Sequence, residues 1–185
     1  MQAFQVSEET GRQLIRLARD TVIALVLRRP TPVQATDNPE FALPAGAFVT
    51  IKRKGRLRGC IGNFEATVPL GKMVQDMARA AAFEDPRFPP VSEPELAQLR
   101  FEISILSPRA PIAPDDVVVG VHGLYITRGR HRGVLLPQVP LEWGWDRLTY
   151  LDELCLKAGI PEGSWQLPDT KLEAFTAQII EEDQP

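Results

Sequence analysis

Cysteine and histidine are scarce, with two of each in 185 residues. Cys60 and Cys155 are too few for a disulfide framework. None of the four stands at CxxC or HxxxH spacing, so neither a metal nor a cofactor is expected. Phosphate-loop spacing, a dinucleotide GxGxxG opening a helix and a GxSxG elbow are all missing; Gly129-Arg130-His131-Arg132-Gly133 fits none of them. Long apolar runs are missing too. The stretch Val22 to Leu27 is far too short to span a bilayer, which argues against a membrane role. The start of the chain shows no signal-peptide pattern. With the low cysteine count, that sets the expectation of a reducing cytoplasm. Nor is there an excess of charge of one sign. A net charge of −3 favours neither nucleic acid nor membrane, and leaves a local basic patch open.

What is present is an ordinary globular composition, 44% hydrophobic, in a length that suits one domain with room for two lobes. Seventeen prolines promise stiff loops. Ser7 is a plausible N-cap, and Leu14, Leu17, Ala18, Val22 and Leu25 give a helix over 8–28. Phe48 to Lys52 and Arg56 to Ile61 read as a hairpin turning at Lys54-Gly55. A second amphipathic helix follows at 69–83, and Ser92 with Glu95 forms a capping box before 93–98. Leu99 to Leu106 alternates as a strand. Val117 to Val121, Gly123 to Thr127 and Val134 to Leu136 read as further strands, with Arg128 to Gly133 as a turn. Asp146 caps a helix that ends at Gly159. Residues 171–182 fit strand and helix equally.

Leu57-Arg58-Gly59-Cys60-Ile61-Gly62 is the stretch around which the rest is organised. Glycine in a strand marks a bulge or a close approach to the backbone. A thiol between Gly59 and Gly62 is therefore a candidate site, and equally a small apolar residue beside a bulge.

This stretch, with Asp85-Pro86-Arg87-Phe88-Pro89-Pro90-Val91, Glu102-Ile103-Ser104, His122-Gly123-Leu124, Leu135-Leu136-Pro137-Gln138-Val139 and Cys155-Leu156-Lys157-Ala158-Gly159, resembles the AMMECR family over about residues 8–182. The resemblance implies an α+β fold of antiparallel or mixed sheets with flanking helices. It implies one domain over 1–185 with two unequal lobes, the larger holding both termini and the smaller inserted from the middle. By the same resemblance 171–182 is a strand. Prokaryotic members look like the A component of the AmmeMemoRadiSam group. That implies a Memo-like protein and a radical S-adenosylmethionine protein as partners. The family brings no settled activity.

Three readings follow. In the first, Cys60 is a nucleophile in a cleft lined by Arg58–Gly62 and acts on a small anionic ligand. Arg58 and Arg87 lower its proton affinity, His122 accepts its proton, and Glu102 orients that histidine or acts in its own right. Backbone amides at Gly59, Ile61 and Gly62 form an anion nest. Against these roles stand a turn role for His122 and a structural ion pair between Asp85 and Arg87. In the second, Lys52, Arg53, Lys54, Arg56 and Arg58, with Arg128, Arg130 and Arg132, bind nucleic acid, and Tyr125, Trp143 and Trp145 stack on bases. In the third the protein is a non-catalytic module that docks partners through Pro137 to Trp145.

Overall fold

A computed structural model describes residues 5–33 and 37–182. They form two compact units, one built from Gln5–Leu106 with the segment from Gln178 onward, the other from Ser107–Ala177.

In the first unit, helix α1 spans Glu8–Val26, and the Ser7 hydroxyl accepts from the Thr10 amide. Glu8 and Glu9 lie in its first turn, where the helix dipole favours anions. The Glu40 carboxylate then pins Ser7 and Thr10 to the short helical turn that follows Asn38. Strands β1 (Gly46–Arg53) and β2 (Arg56–Asn63) form the expected hairpin. Lys54 and Gly55 both take positive φ, 51° and 75°, the turn that matches the twist of paired strands. Helix α2 (Leu70–Phe83) and strand β3 (Leu99–Leu106) complete the frame.

The sheet order is β2-β1-β3-β8, where β8 is Ala177–Glu181. Strand β1 pairs antiparallel with both β2 and β3. Ala47, Val49, Ile51, Phe101, Ile103 and Ile105 alternate onto one buried face, covered by the helices. The other face carries Thr50, Cys60, Glu102 and Lys52.

In the second unit, β4 (Ala110–Pro111), β5 (Gly123–Arg128), β6 (His131–Leu135) and β7 (Thr170–Phe175) line up as β4-β7-β5-β6. Here too the pairing is antiparallel. Helix α3 is Val139–Trp143 and α4 is Arg147–Lys157, capped by Asp146. Tyr150, Leu151, Leu154 and Cys155 of α4 enter a core with Leu124, Ile126 and Ala174. Gly133 is where β6 meets the end of α4, since a Cβ there would lie 2.8 Å from the Ala158 nitrogen. The architecture is α+β, as the sequence implied.

Three local expectations fail. Val117 to Val121 is not a strand. Pro114–Asp116 is a helical turn, and Gly120 at φ 81° bends the chain back so that His122 bonds Val118. His131 to Gly133 is strand rather than turn, because Gly129 at φ 58° already reverses the chain. Residues 171–182 are neither one strand nor a helix: β7 ends at Phe175 and β8 begins at Ala177, each in a different sheet.

Candidate functional site

Counting back from the Lys54-Gly55 turn would pair Thr50 with Gly59. The observed register pairs Lys52 with Leu57 and Ile51 with Gly59, so Arg58 is the extra residue of a β-bulge. The bulge has two effects. It puts Thr50 opposite Cys60, and it frees Arg58 from simple alternation.

Both glycines of the central stretch are filled by the protein itself. A Cβ on Gly59 would lie 2.1 Å from the Ala81 carbonyl oxygen, so β2 and α2 touch there. A Cβ on Gly62 would lie 2.1 Å from the Phe48 ring. The close approach expected at these residues is a helix and an aromatic ring.

Strand β2 is an edge strand. At Cys60 that edge is capped by the proline-rich loop. The Cys60 amide donates to Asp85 Oδ2 at 2.9 Å, and its carbonyl accepts from Arg87 Nη2 at 3.2 Å. Asp85 and Arg87 thus supply what a neighbouring strand would. They are locked to each other, Nε to Oδ1 at 2.9 Å and Nη2 to Oδ2 at 2.7 Å. Arg87, then the Cys60 and Arg87 amides, hold the Asp85 carboxyl well below the usual carboxylate range. The Cys60 amide is therefore committed to Asp85.

The Cys60 thiol is half-buried on the face away from the helices. Thr50 Oγ1 donates to its sulfur at 3.3 Å. Arg87 has its pKa raised chiefly by Asp85, and its guanidinium reaches Cys60 through the residue's own carbonyl. Across the sheet, Thr50 is flanked by Cys60 on one side and Glu102 on the other. Lys52 donates to the Glu102 carboxylate at 2.6 Å. That bond is the first cause of a raised Lys52 pKa.

Arg58 is buried and clamped by Glu95, with Nε at 2.7 Å and Nη2 at 3.1 Å. Nη2 also donates to the Pro90 carbonyl at 3.3 Å. Glu95 accepts from the Ser92 amide at 2.9 Å and from Arg53 at 3.2 Å. Arg58, ahead of the Ser92 bonds, pulls the Glu95 carboxyl down to about 2. Arg58 and Arg87 both lie over Phe88, at 5.9 and 5.6 Å from its centroid.

His122 belongs to the other unit. Its Nδ1 accepts from the Val118 amide at 3.1 Å, and burial lowers its pKa. It lines a cavity of about 420 Å³ with Ala110, Ile112 and Asp116. No hydrogen bond among the described residues joins it to Cys60 or Glu102. The structure thus groups Cys60, Arg58, Gly59, Gly62, Asp85, Arg87 and Glu102 in one unit, without His122.

Much of the basic hairpin is neutralised. Lys52 pairs with Glu102 and Glu181, while Arg53 and Arg58 both pair with Glu95. In the other unit Arg128 pairs with Asp169, Arg109 lies 4.1 Å from the Tyr125 centroid, and Trp143 stacks on Trp145. Among the described residues no group of three or more His, Cys, Asp or Glu is arranged to hold a metal ion. No described helix is long and apolar enough to cross a membrane.

Sequence reasoning missed Thr50, Lys52 as the partner of Glu102, and Glu95 as the partner of Arg58. The Ser92/Glu95 capping signal was the one sequence trace of Glu95, and it pointed to a helix start rather than to an arginine.

Fold and site together define an α+β protein whose half-buried cysteine stands on an edge strand capped by an Asp–Arg pair. A family model described as AMMECR1 matches residues 15–180, and the chain belongs to that family. It is 41% identical to a protein of Thermococcus gammatolerans, covering 98% of this chain and 95% of that one. A protein of Methanothermobacter thermautotrophicus is also 41% identical, covering 99% of this chain and all of the other. The crystal structure of the uncharacterised protein PH0010 from Pyrococcus horikoshii aligns with a TM-score of 0.86. It is 39% identical, with 98% and 96% of the two chains covered.

Proposed function

We propose that the protein is a thiol-dependent enzyme of a reducing, cytoplasmic setting. Cys60 is its nucleophile and its substrate is a small anionic molecule. The observation that carries this reading is the surroundings of the cysteine: half-buried, with the Thr50 hydroxyl donating to its sulfur and the Arg87 guanidinium on its carbonyl. The thiolate is the reactive form of cysteine. The thiolate attacks an electrophilic carbon of the substrate, and the leaving group departs with its electron pair, as in transfer or hydrolysis. Arg87 keeps more than half of its side chain exposed, so it can meet the substrate's negative charge while holding the Cys60 carbonyl. Glu102 acts as a carboxylate in its own right, held by Lys52. Asp85 positions Arg87 and the strand. No role in this step is given to His122.

The test is alkylation of the folded protein by iodoacetamide at a fixed pH, with Cys155→Ala as background. Rapid modification of Cys60, slowed by Arg87→Ala, supports the reading. Modification only after unfolding would sink it.

A second reading has its own observation. Trp143 is 70% exposed and Leu141 62%, beside the turn at Gly120, where a Cβ would lie 3.0 Å from Leu141. Such an apolar surface suits a docking role. This reading makes the protein the A component of an AmmeMemoRadiSam system that binds a Memo-like or radical S-adenosylmethionine protein. Trp143→Ala would then abolish capture of the partner and leave Cys60 alkylation unchanged. Nucleic-acid binding has weaker support, since Lys52, Arg53 and Arg58 are already paired.

A further inference from the structure

At the tip of the β1–β2 hairpin lies a cavity of about 670 Å³, within the range of small-molecule sites. All its lining residues belong to the first unit. We infer that it binds a small molecule carrying an oxyanion, a phosphate or a carboxylate, held by Lys54, Arg100 and Gln98.

Charges and donors in the wall match such a ligand. Lys52 lies in the wall, bridging Glu102 at 2.6 Å and Glu181 at 3.8 Å. Glu182 is satisfied from outside the cavity by Arg19 at 2.5 Å, and by the Phe101 amide at 3.1 Å. With that pair set aside, three cations face two carboxylates, and the wall carries one net positive charge. Lys54 has no hydrogen-bond or ion-pair partner among the described residues. Among the described residues Arg100 uses only Nη1, on the Leu99 carbonyl at 3.0 Å. Gln98 Oε1 accepts from Arg53 at 3.0 Å, which leaves its NH₂ group without an acceptor. Three donor side chains thus line one concavity, and among the described residues none of them is bonded to the carboxylates of the same wall, which are held by Lys52 and Arg19. An oxyanion is the acceptor that such a set fits.

The turn adds an independent observation. Lys54 occupies a left-handed position, φ 51°, where glycine, asparagine or aspartate is ordinarily found. Local energetics disfavour lysine there, so its presence calls for a use of its side chain. The carboxylates of Glu102 and Glu181 in the same wall repel a polyanion, which makes a small ligand the better fit than a nucleic-acid backbone. Among the described residues Glu181 pairs only with Lys52, and it accepts readily from a ligand amine or hydroxyl. The fitting class is a small molecule with an oxyanion at one end and a hydrogen-bond donor at the other. This inference does not depend on the reading of Cys60.

The experiment is titration of the full chain with phosphoethanolamine and, separately, with γ-aminobutyrate, followed by calorimetry and by the amide resonances of residues 52–55 and 98–102. Saturable binding of the first alone assigns a phosphate, and of the second alone a carboxylate. Arg100→Gln should weaken the binding about tenfold or more, as expected for a charged hydrogen bond. Lys54→Gly is the decisive variant, because glycine relaxes the turn: it should raise the melting temperature while weakening binding. Cys60→Ser should leave binding unchanged. The inference is overturned if neither probe perturbs those resonances, if Lys54→Gly binds as well as the parent, or if only a single-stranded oligonucleotide binds there.

Discussion

The chain's two cysteines are chemically identical and stand in opposite surroundings. Cys155 lies on α4 with no exposed surface, packed among Tyr150, Leu151 and Leu154. Burial, more than any other cause, pushes its thiol pKa up. Cys60 lies on an edge strand, half-buried, with a hydroxyl on its sulfur and a guanidinium nearby. The helix interior makes Cys155 a packing atom. The strand edge leaves Cys60 partly exposed. What separates them is less the thiol than the rigidity and polarity of what holds it, and each part of that holder can be removed in turn.

The largest effect belongs to Glu95, which anchors the loop over Arg58. Glu95→Ala leaves a buried guanidinium without its partner, and breaking such a pair costs about 3–5 kcal/mol. Urea unfolding should show this loss. The intact pair also carries a pH signature. The Glu95 carboxyl ordinarily titrates near 4.5 and is held at about 2 in the folded chain. Its contribution is therefore complete above pH 4.5 and is lost as the pH falls toward 2, on the order of 3 kcal/mol in all. The lowered Asp85 carboxyl adds in the same direction. Glu95→Gln should flatten the acid limb, and a melting series from pH 7 down to pH 2 would read it.

Next comes Gly59→Ala. The added methyl would meet the Ala81 carbonyl oxygen, which cannot yield unless α2 shifts. Overpacking against backbone should cost about 3 kcal/mol. Thermal unfolding would then fall well below that of an exposed control such as Glu162→Ala. An equal fall in both would show that β2 and α2 do not need their close contact.

Asp85→Asn is milder. Asparagine still accepts from the Cys60 amide, and Arg87 is exposed enough to be solvated once unpaired. A loss of about 1–3 kcal/mol is expected. Exchange of the Cys60 amide hydrogen should quicken, since the cap on the strand edge is loosened. Unchanged protection there would mean that the edge does not rely on the Asp–Arg pair.

How far this comparison was legible beforehand depends on how local its causes are. The hairpin, its Lys54-Gly55 turn and both main helices of the first unit were written in periodicity and turn chemistry. Cys155 at helical spacing beside Leu151 and Leu154 was legible as core. The Asp85–Arg87 pair was visible as a structural alternative because both residues lie in one proline-fixed loop. The bulge at Arg58 was not visible as a register shift, although glycine at 59 hinted at one. The partners of Lys52 and Arg58 lie 50 and 37 residues away, and no local pattern announces such distances. The alternation of Phe175, Ala177 and Ile179 runs straight through a change of sheet. The pattern records which side is buried, and is silent on which strand lies alongside.

The smallest change sharpens the comparison most. Thr50→Val keeps the shape and β-branching of the side chain and removes the hydroxyl that donates to Cys60. Stability should stay within about 0.5 kcal/mol, because the residue lies on the partly open face of a well-paired strand. The iodoacetamide rate at Cys60 should nevertheless fall several-fold if the hydroxyl stabilises the thiolate. Cys155 should stay protected in both proteins. If the rate does not change, the two cysteines differ by exposure and by Arg87 alone, and Thr50 is only a neighbour. If it falls without a change in stability, the bulge at Arg58 gains a purpose: it is the one-residue shift that sets Thr50, rather than Val49, across from the sulfur.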